Sequence, residues 1–105
     1  MAKKYAYFVT RTDISKSQQL VQTAHVALEL GNKLTPREAN QLHFCNLAVS
    51  NLETLEAVKH LLHINDIEYV EYHEGFYNEI TAIATFPITE RSQREVFKGL
   101  PLIKL

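Results

Sequence analysis

Lys4-Tyr5-Ala6-Tyr7-Phe8-Val9-Thr10, followed by Arg11-Thr12-Asp13-Ile14-Ser15-Lys16-Ser17-Gln18, is the stretch on which the reading of this chain turns. The first seven residues are rich in aromatic and β-branched side chains and read as a central strand. Asp13, Ser15 and Ser17 then offer helix caps, with Ser15 and Gln18 at capping-box spacing. Polar groups collected where a buried strand passes into a helix mark a candidate site, because ligands gather at the carboxyl ends of strands in α/β domains.

The helix so opened should run to about Leu30, where Gly31-Asn32 supplies a stop. Leu20, Val21, Ala24, Ala27, Leu28 and Gly31 make an apolar stripe, expected to pack on the sheet. Gln18, Gln22, His25 and Glu29 recur on a separate face. Downstream, Thr35-Pro36-Arg37-Glu38 predicts a short helical turn. A second strand is expected from His43 to Val49. Ser50-Asn51-Leu52-Glu53 repeats the capping-box pattern and opens a helix to about Asn65, with Leu52, Leu55, Val58, Leu61 and Leu62 on its buried side and His60 and His63 solvated. Ile67 to Tyr72 reads as a third strand, Gly75 as a turn, and Glu79 to Phe86 as a fourth strand. Thr89 to Lys98 reads as a last helix stopped by Gly99, with Leu100 to Leu105 as an edge strand or docked terminus. The order β-α-β-α-β-β-α predicts a two-layer or three-layer α/β sandwich with a four-stranded mixed sheet flanked by helices.

The chain has 105 residues, enough for one domain, and 46% of them are hydrophobic, ordinary for a globular protein. No apolar run is long enough to cross a bilayer, and the amino terminus lacks the apolar segment of a secretory signal. The single Cys45 excludes an intramolecular disulfide and fits a reducing, cytoplasmic setting; within Leu42–Leu47 it reads as a small buried residue rather than a nucleophile. A net charge of −1 argues against a broad nucleic-acid surface. The charge is uneven, however. Residues 1–50 carry six Lys and Arg against three Asp and Glu, whereas residues 51–105 carry five against nine. A local phosphate contact near Lys16 and Arg11 therefore stays open.

Three scattered glycines give no phosphate loop, and no serine stands in a nucleophile elbow. His60-Leu61-Leu62-His63 lacks the acidic partner and spacing of a metalloprotease, so no metal and no cofactor is expected. The residues that converge are Arg11, Asp13 and Lys16 at the junction, with Gln22 and His25 on the helix. Lys16 beside free helix N–H groups suits a phosphate; the plainer alternative is that Asp13 and Ser15 cap the helix while Arg11 and Lys16 are solvated. A second cluster is Tyr72-His73-Glu74-Gly75-Phe76-Tyr77-Asn78. There His73 suits a general base, with Glu74 orienting it or acting itself. Phe76 and Tyr77 would meet a base or a partner, or else fold back over the core.

Phe8 to Ile14, Lys16, and Gln22-Thr23-Ala24-His25-Val26-Ala27 together resemble the type 2 (archaeal and eukaryotic) peptidyl-tRNA hydrolase family. That family shows Arg-(Thr/Arg)-Asp-Leu, a Gly-Lys-Gly-Lys segment and Gln-x-Ala-His-Ala on its first helix. Thr81-Ala82-Ile83-Ala84 before Pro87, and Lys98-Gly99 with Leu102 to Leu105, are similar to its later segments. The resemblance implies a homodimeric α/β domain that cleaves the ester joining a peptide to the terminal ribose of tRNA. On it, Lys16, His25, His73 and Thr81 would be catalytic, and Arg11, Asp13, Gln18, Gln22 and Tyr77 would contact substrate. The partner would be tRNA or another nucleotide-containing ligand, with no membrane involved. Gln18 stands where the family has its second lysine, Ser15 and Ser17 replace its glycines, and His73-Glu74-Gly75 replaces its Asp-Ala-Gly-Arg-Thr-Gln segment. A non-catalytic binding or regulatory module on the same fold is the alternative, and a different small hydrolase using His73 and Glu74 is a third reading.

Overall fold

A computed structural model describes residues 3–75 and 79–104. Strand β1 spans Lys4–Arg11, helix α1 Lys16–Gly31, the short α2 Pro36–Asn40, β2 Leu42–Val49, α3 Leu52–Ile64, β3 Tyr69–Glu74, β4 Glu79–Thr85 and α4 Arg91–Arg94. The sheet runs β2-β1-β4-β3. β1 and β2 are parallel, from Lys4 opposite Leu42 to Arg11 opposite Val49. β4 lies antiparallel to both β1 and β3. α1 packs on one face of the sheet and α3 on the other, so the fold is a three-layer α/β sandwich with a mixed four-stranded sheet, as the element pattern predicts.

Alternation along the strands splits the core in two. On the α3 side, Tyr7, Val9, Leu47, Val49 and Ile83 pack against Leu55, Val58 and Leu62. On the α1 side the sheet offers three alanines, Ala6, Ala82 and Ala84, together with Phe8, to Val26 and Leu30. β1 is buried from Ala6 to Arg11, the expected consequence of a central strand covered on both faces.

Local chemistry explains the element ends. Ser15 Oγ accepts from the Gln18 backbone N–H at 3.1 Å and caps α1. Thr35 and Glu38 complete a reciprocal capping box at α2. For α3 the cap is Asn51, not the expected Ser50: Asn51 Oδ1 accepts from the Thr54 N–H at 2.9 Å. β3 starts two residues later than the pattern suggests, at Tyr69, because Ile67 closes the end of α3 by donating its N–H to Leu62 O at 2.9 Å. The expected last helix is only one turn of α-helix with a 3-10 turn, Glu95–Phe97, behind it. Side-chain stacking holds this segment in place instead. Phe97 lies on Tyr7 with ring centroids 4.0 Å apart, and the Arg94 guanidinium sits 3.9 Å over the Tyr5 ring while donating to Tyr7 Oη at 3.2 Å. The tail docks on β2, with Leu102 bridging Leu47.

The largest correction concerns α1. Its buried residues are Gln19, Gln22, Val26 and Leu30, whereas Leu20, Val21, Ala24, Leu28 and Gly31 of the apolar stripe are exposed. Hydrogen-bond partners on the sheet override hydrophobic periodicity, since the face beneath α1 holds polar Thr10, Thr81 and Glu74 that the Gln22 amide and Thr23 can answer. On α3, similarly, Leu61 is exposed while Leu62 is fully buried.

Candidate functional site

The topology brings four chain ends together. β1 finishes where antiparallel β4 begins and β3 finishes, and the amino-terminal half of α1 starts just above. Two hydrogen-bonded groups form there, Arg11 with Glu79, and Gln22 with Glu74 and Thr81.

Gln22 is the centre. Its side chain is fully buried, and each end of the amide is occupied. Nε2 donates to Glu74 Oε2 at 2.7 Å and to Gln18 Oε1 at 3.1 Å, while Oε1 accepts from the Thr81 hydroxyl at 3.2 Å. Two acceptors on one side and a hydroxyl on the other fix the amide orientation. Thr81, also fully buried, has Tyr72 O as a second acceptor at 3.4 Å. Its aim depends on an irregularity in strand pairing. Tyr72 pairs with Ala82 but His73 pairs with Ile80, so Thr81 is an extra residue in β4. A bulge of this kind re-aims one side chain, here towards α1. Above Tyr72, the His25 ring stacks at a centroid distance of 4.5 Å, with 1° between the planes.

Arg11 and Asp13 are engaged with each other. Arg11 donates from Nε and Nη2 to the two carboxylate oxygens of Asp13 at 2.9 and 2.8 Å, and from Nη1 to Glu79 Oε1 at 2.7 Å and Ile80 O at 3.2 Å. The bidentate guanidinium holds the Asp13 carboxyl below its ordinary pKa, and the two carboxylates raise that of Arg11. Arg11 thereby ties the end of β1 to the start of β4 and is itself buried, with little left for a substrate.

Lys16 opens α1 and lines a cavity of about 390 Å³ with Thr12, Gln19, Lys104 and the tail at Pro101 and Leu102. Gln19 was not singled out by its sequence setting. It donates to Ile14 O at 2.9 Å, while its Oε1 is buried without a hydrogen-bond donor among the described residues.

Of the nine site residues expected, Gln18, Gln22 and Thr81 are joined directly, with His25 over Tyr72 at their edge. Lys16 precedes them on the same helix. Tyr77 lies outside the described residues. His73 does not join the cluster: it is 60% exposed and 3.5 Å from Glu71 Oε2, whose carboxylate also meets Lys59 of α3 at 2.9 Å. The cause is period-two alternation. β3 extends through Glu74, so Tyr72 and Glu74 face α1 while Glu71 and His73 face α3. Glu74, expected to orient His73 or to act itself, is the carboxylate at the cluster. Among the described residues, no three His, Cys, Asp or Glu side chains group to hold a metal ion.

Fold and site thus define a small α/β domain in which a buried amide and hydroxyl hold a half-buried carboxylate at the carboxyl end of the central strand. The solved structure of a protein of unknown function, Atu0240 from Agrobacterium tumefaciens strain C58, is similar over 99% of this chain and 100% of that one, with a TM-score of 0.75 and 14% identity. That likeness concerns the fold alone. No family model matches the chain, and no curated protein matches it. Among the described residues no helix is long and apolar enough to cross a membrane.

Proposed function

We propose that this domain binds the ester end of a peptidyl- or aminoacyl-tRNA in the reducing cytoplasm, and that it hydrolyses the ester with Glu74 as the base. The observation that supports the reading is the Thr81–Gln22–Glu74 relay. Gln22 holds the Glu74 carboxylate at 2.7 Å, and Thr81 holds Gln22 from the other side. Glu74 would take a proton from water as the oxygen attacks the ester carbonyl. The tetrahedral intermediate then collapses, the carbon–oxygen bond to ribose breaks, and the ribose oxygen leaves with the proton. Lys16, with no side-chain hydrogen bond or ion pair among the described residues and at the start of α1, would meet the adjacent phosphate.

A second reading, a binding module without turnover, draws support from the burial of Gln22 and Thr81 and from the mutual engagement of Arg11 with Asp13 and Glu79. Release of peptide from peptidyl-tRNA by the purified chain separates the two. Hydrolysis is expected to fall at least tenfold in Glu74→Gln and in Lys16→Ala, and to be unchanged in His73→Ala. Tight binding without release supports the module. Neither binding nor release by the wild-type chain removes both readings.

A further inference from the structure

The segment after β4 returns along the start of β1. Tyr5 exchanges two backbone hydrogen bonds with Ile88, at 2.9 and 2.8 Å, and the stack of Phe97 on Tyr7 fixes the far end. Beside this segment lies an open cavity of about 480 Å³, lined by Tyr7, Arg91, Arg94, Glu95 and Lys98. Its size is that of a small-molecule pocket. Three of the five cations in residues 51–105, Arg91, Arg94 and Lys98, gather here, in a half of the chain that carries nine acids. One carboxylate of the lining answers them: Glu95 lies 3.8 Å from Arg91 Nε and 4.0 Å from Lys98 Nζ. Three cations against one carboxylate leave the lining at +2.

Two of the cavity's side chains hold donors that nothing accepts. Tyr7 is only 7% exposed, and its Oη accepts from Arg94 Nε at 3.2 Å, but the phenolic hydrogen has no acceptor among the described residues. Buried hydroxyls usually have their donor used, because an unmet polar group costs stability. The same bond, with the 3.9 Å stack on Tyr5, fixes the Arg94 guanidinium through Nε and the ring face alone. Both Nη groups of Arg94 are without an acceptor among the described residues. Arg94 is thus a positioned fork with its paired donors open, the arrangement that matches an oxyanion.

We propose that this cavity binds a small phosphate monoester. Charge selects the class: near neutral pH a monoester carries about −1.5 to −2, which matches the lining, whereas a carboxylate or a phosphodiester carries a single negative charge. The Tyr7 hydroxyl and the Arg94 fork donate to the phosphate oxygens. Arg91 and Lys98, exposed and held only by long ion pairs to Glu95, turn to the phosphate from the rim. The site is separate from the Gln22 cluster, since Tyr7 faces α3 in the first half of β1 while Gln22 belongs to α1 and meets Glu74. It stands whether or not the domain cleaves an ester.

Titration of the isotope-labelled full chain with phenyl phosphate at constant ionic strength, followed by NMR, tests the site. Saturable shifts are expected at Tyr7 and residues 91–98, and inorganic phosphate should move the same signals. Dimethyl phosphate, a monoanion, should bind at least tenfold more weakly. Tyr7→Phe keeps a ring on Phe97, removes the hydroxyl, and should weaken phenyl phosphate at least tenfold. Lys98→Gln, at an exposed position, should weaken it about threefold and decides the matter if Tyr7→Phe fails to fold. Absence of saturation, equal binding of dimethyl phosphate, shifts centred on Lys16, or affinity indifferent to these substitutions would each overturn the assignment. So would a short RNA without terminal phosphates that holds these residues more tightly than phenyl phosphate, because the patch would then be a nucleic-acid surface.

Discussion

Replacing Gln22 with Met keeps the length and burial of the side chain while removing the amide, and so isolates the contribution of the relay. The bond to the Glu74 carboxylate, 2.7 Å long, falls among charge-assisted hydrogen bonds contributing about 1.5–3 kcal/mol. Glu74 is half-buried and recovers part of this from water. The Thr81 hydroxyl can turn to Tyr72 O, and half-buried Gln18 can rehydrate, so neither adds much. The net loss should be about 1.5 kcal/mol, or roughly an 8 °C fall in melting temperature for a domain of this size. Thr81→Val differs in kind, because it leaves Gln22 Oε1 buried without a donor and costs about 1–3 kcal/mol. In the double variant no orphan acceptor remains. Its loss should therefore be smaller than the two single losses together by about 1 kcal/mol. Urea unfolding of the four proteins supplies the cycle. Strict additivity, or a Gln22→Met protein within 0.5 kcal/mol of wild type, would refute a relay of this kind.

The Arg11–Asp13 pair predicts a pH dependence. Because Asp13 has its pKa lowered by Arg11, its contribution is present above the unfolded-state value and disappears as pH falls through the lower folded value. The stability gap between wild type and Asp13→Asn should accordingly be flat near neutrality and close in acid below the usual carboxylate range; a gap that widens on acidification contradicts it. Leu62→Ala should cost about 3 kcal/mol and Leu61→Ala under 1 kcal/mol in denaturant titrations, since only Leu62 is sealed in the core. Ser15→Ala removes the cap of α1 and should cost about 1 kcal/mol in the same assay.

Much of the fold was legible in the chain because local chemistry carries it. Phe8 and Val9 could only be a buried strand, Thr35-Pro36-Arg37-Glu38 could only start a helix, and the order of elements implied a mixed sheet of four strands. The amino-terminal half of the candidate site was legible for the same reason: Gln18 and Gln22 are one helical turn apart, and their spacing alone puts them on one face. The carboxyl-terminal half was not. A bulge at Thr81 and the exact end of β3 are properties of strand pairing, and they decide that Glu74, not His73, meets Gln22.

The orientation of α1 marks the same division. Its length, its Ser15 cap and its two faces, one apolar and one lined with amides, follow from the order of residues. Which face turns inward does not, because that choice compares burial of leucines with satisfaction of polar groups on a sheet assembled from distant segments. Thr81 lies 59 positions from Gln22 in sequence and Glu74 lies 52 positions away. Their hydrogen bonds exist only once the sheet has formed, and an unpaired buried hydroxyl or carboxylate would cost more than exposing a leucine. The sequence alone therefore determined the helix; the tertiary structure turned Gln19 and Gln22 to the core and Leu20 and Leu28 to the outside.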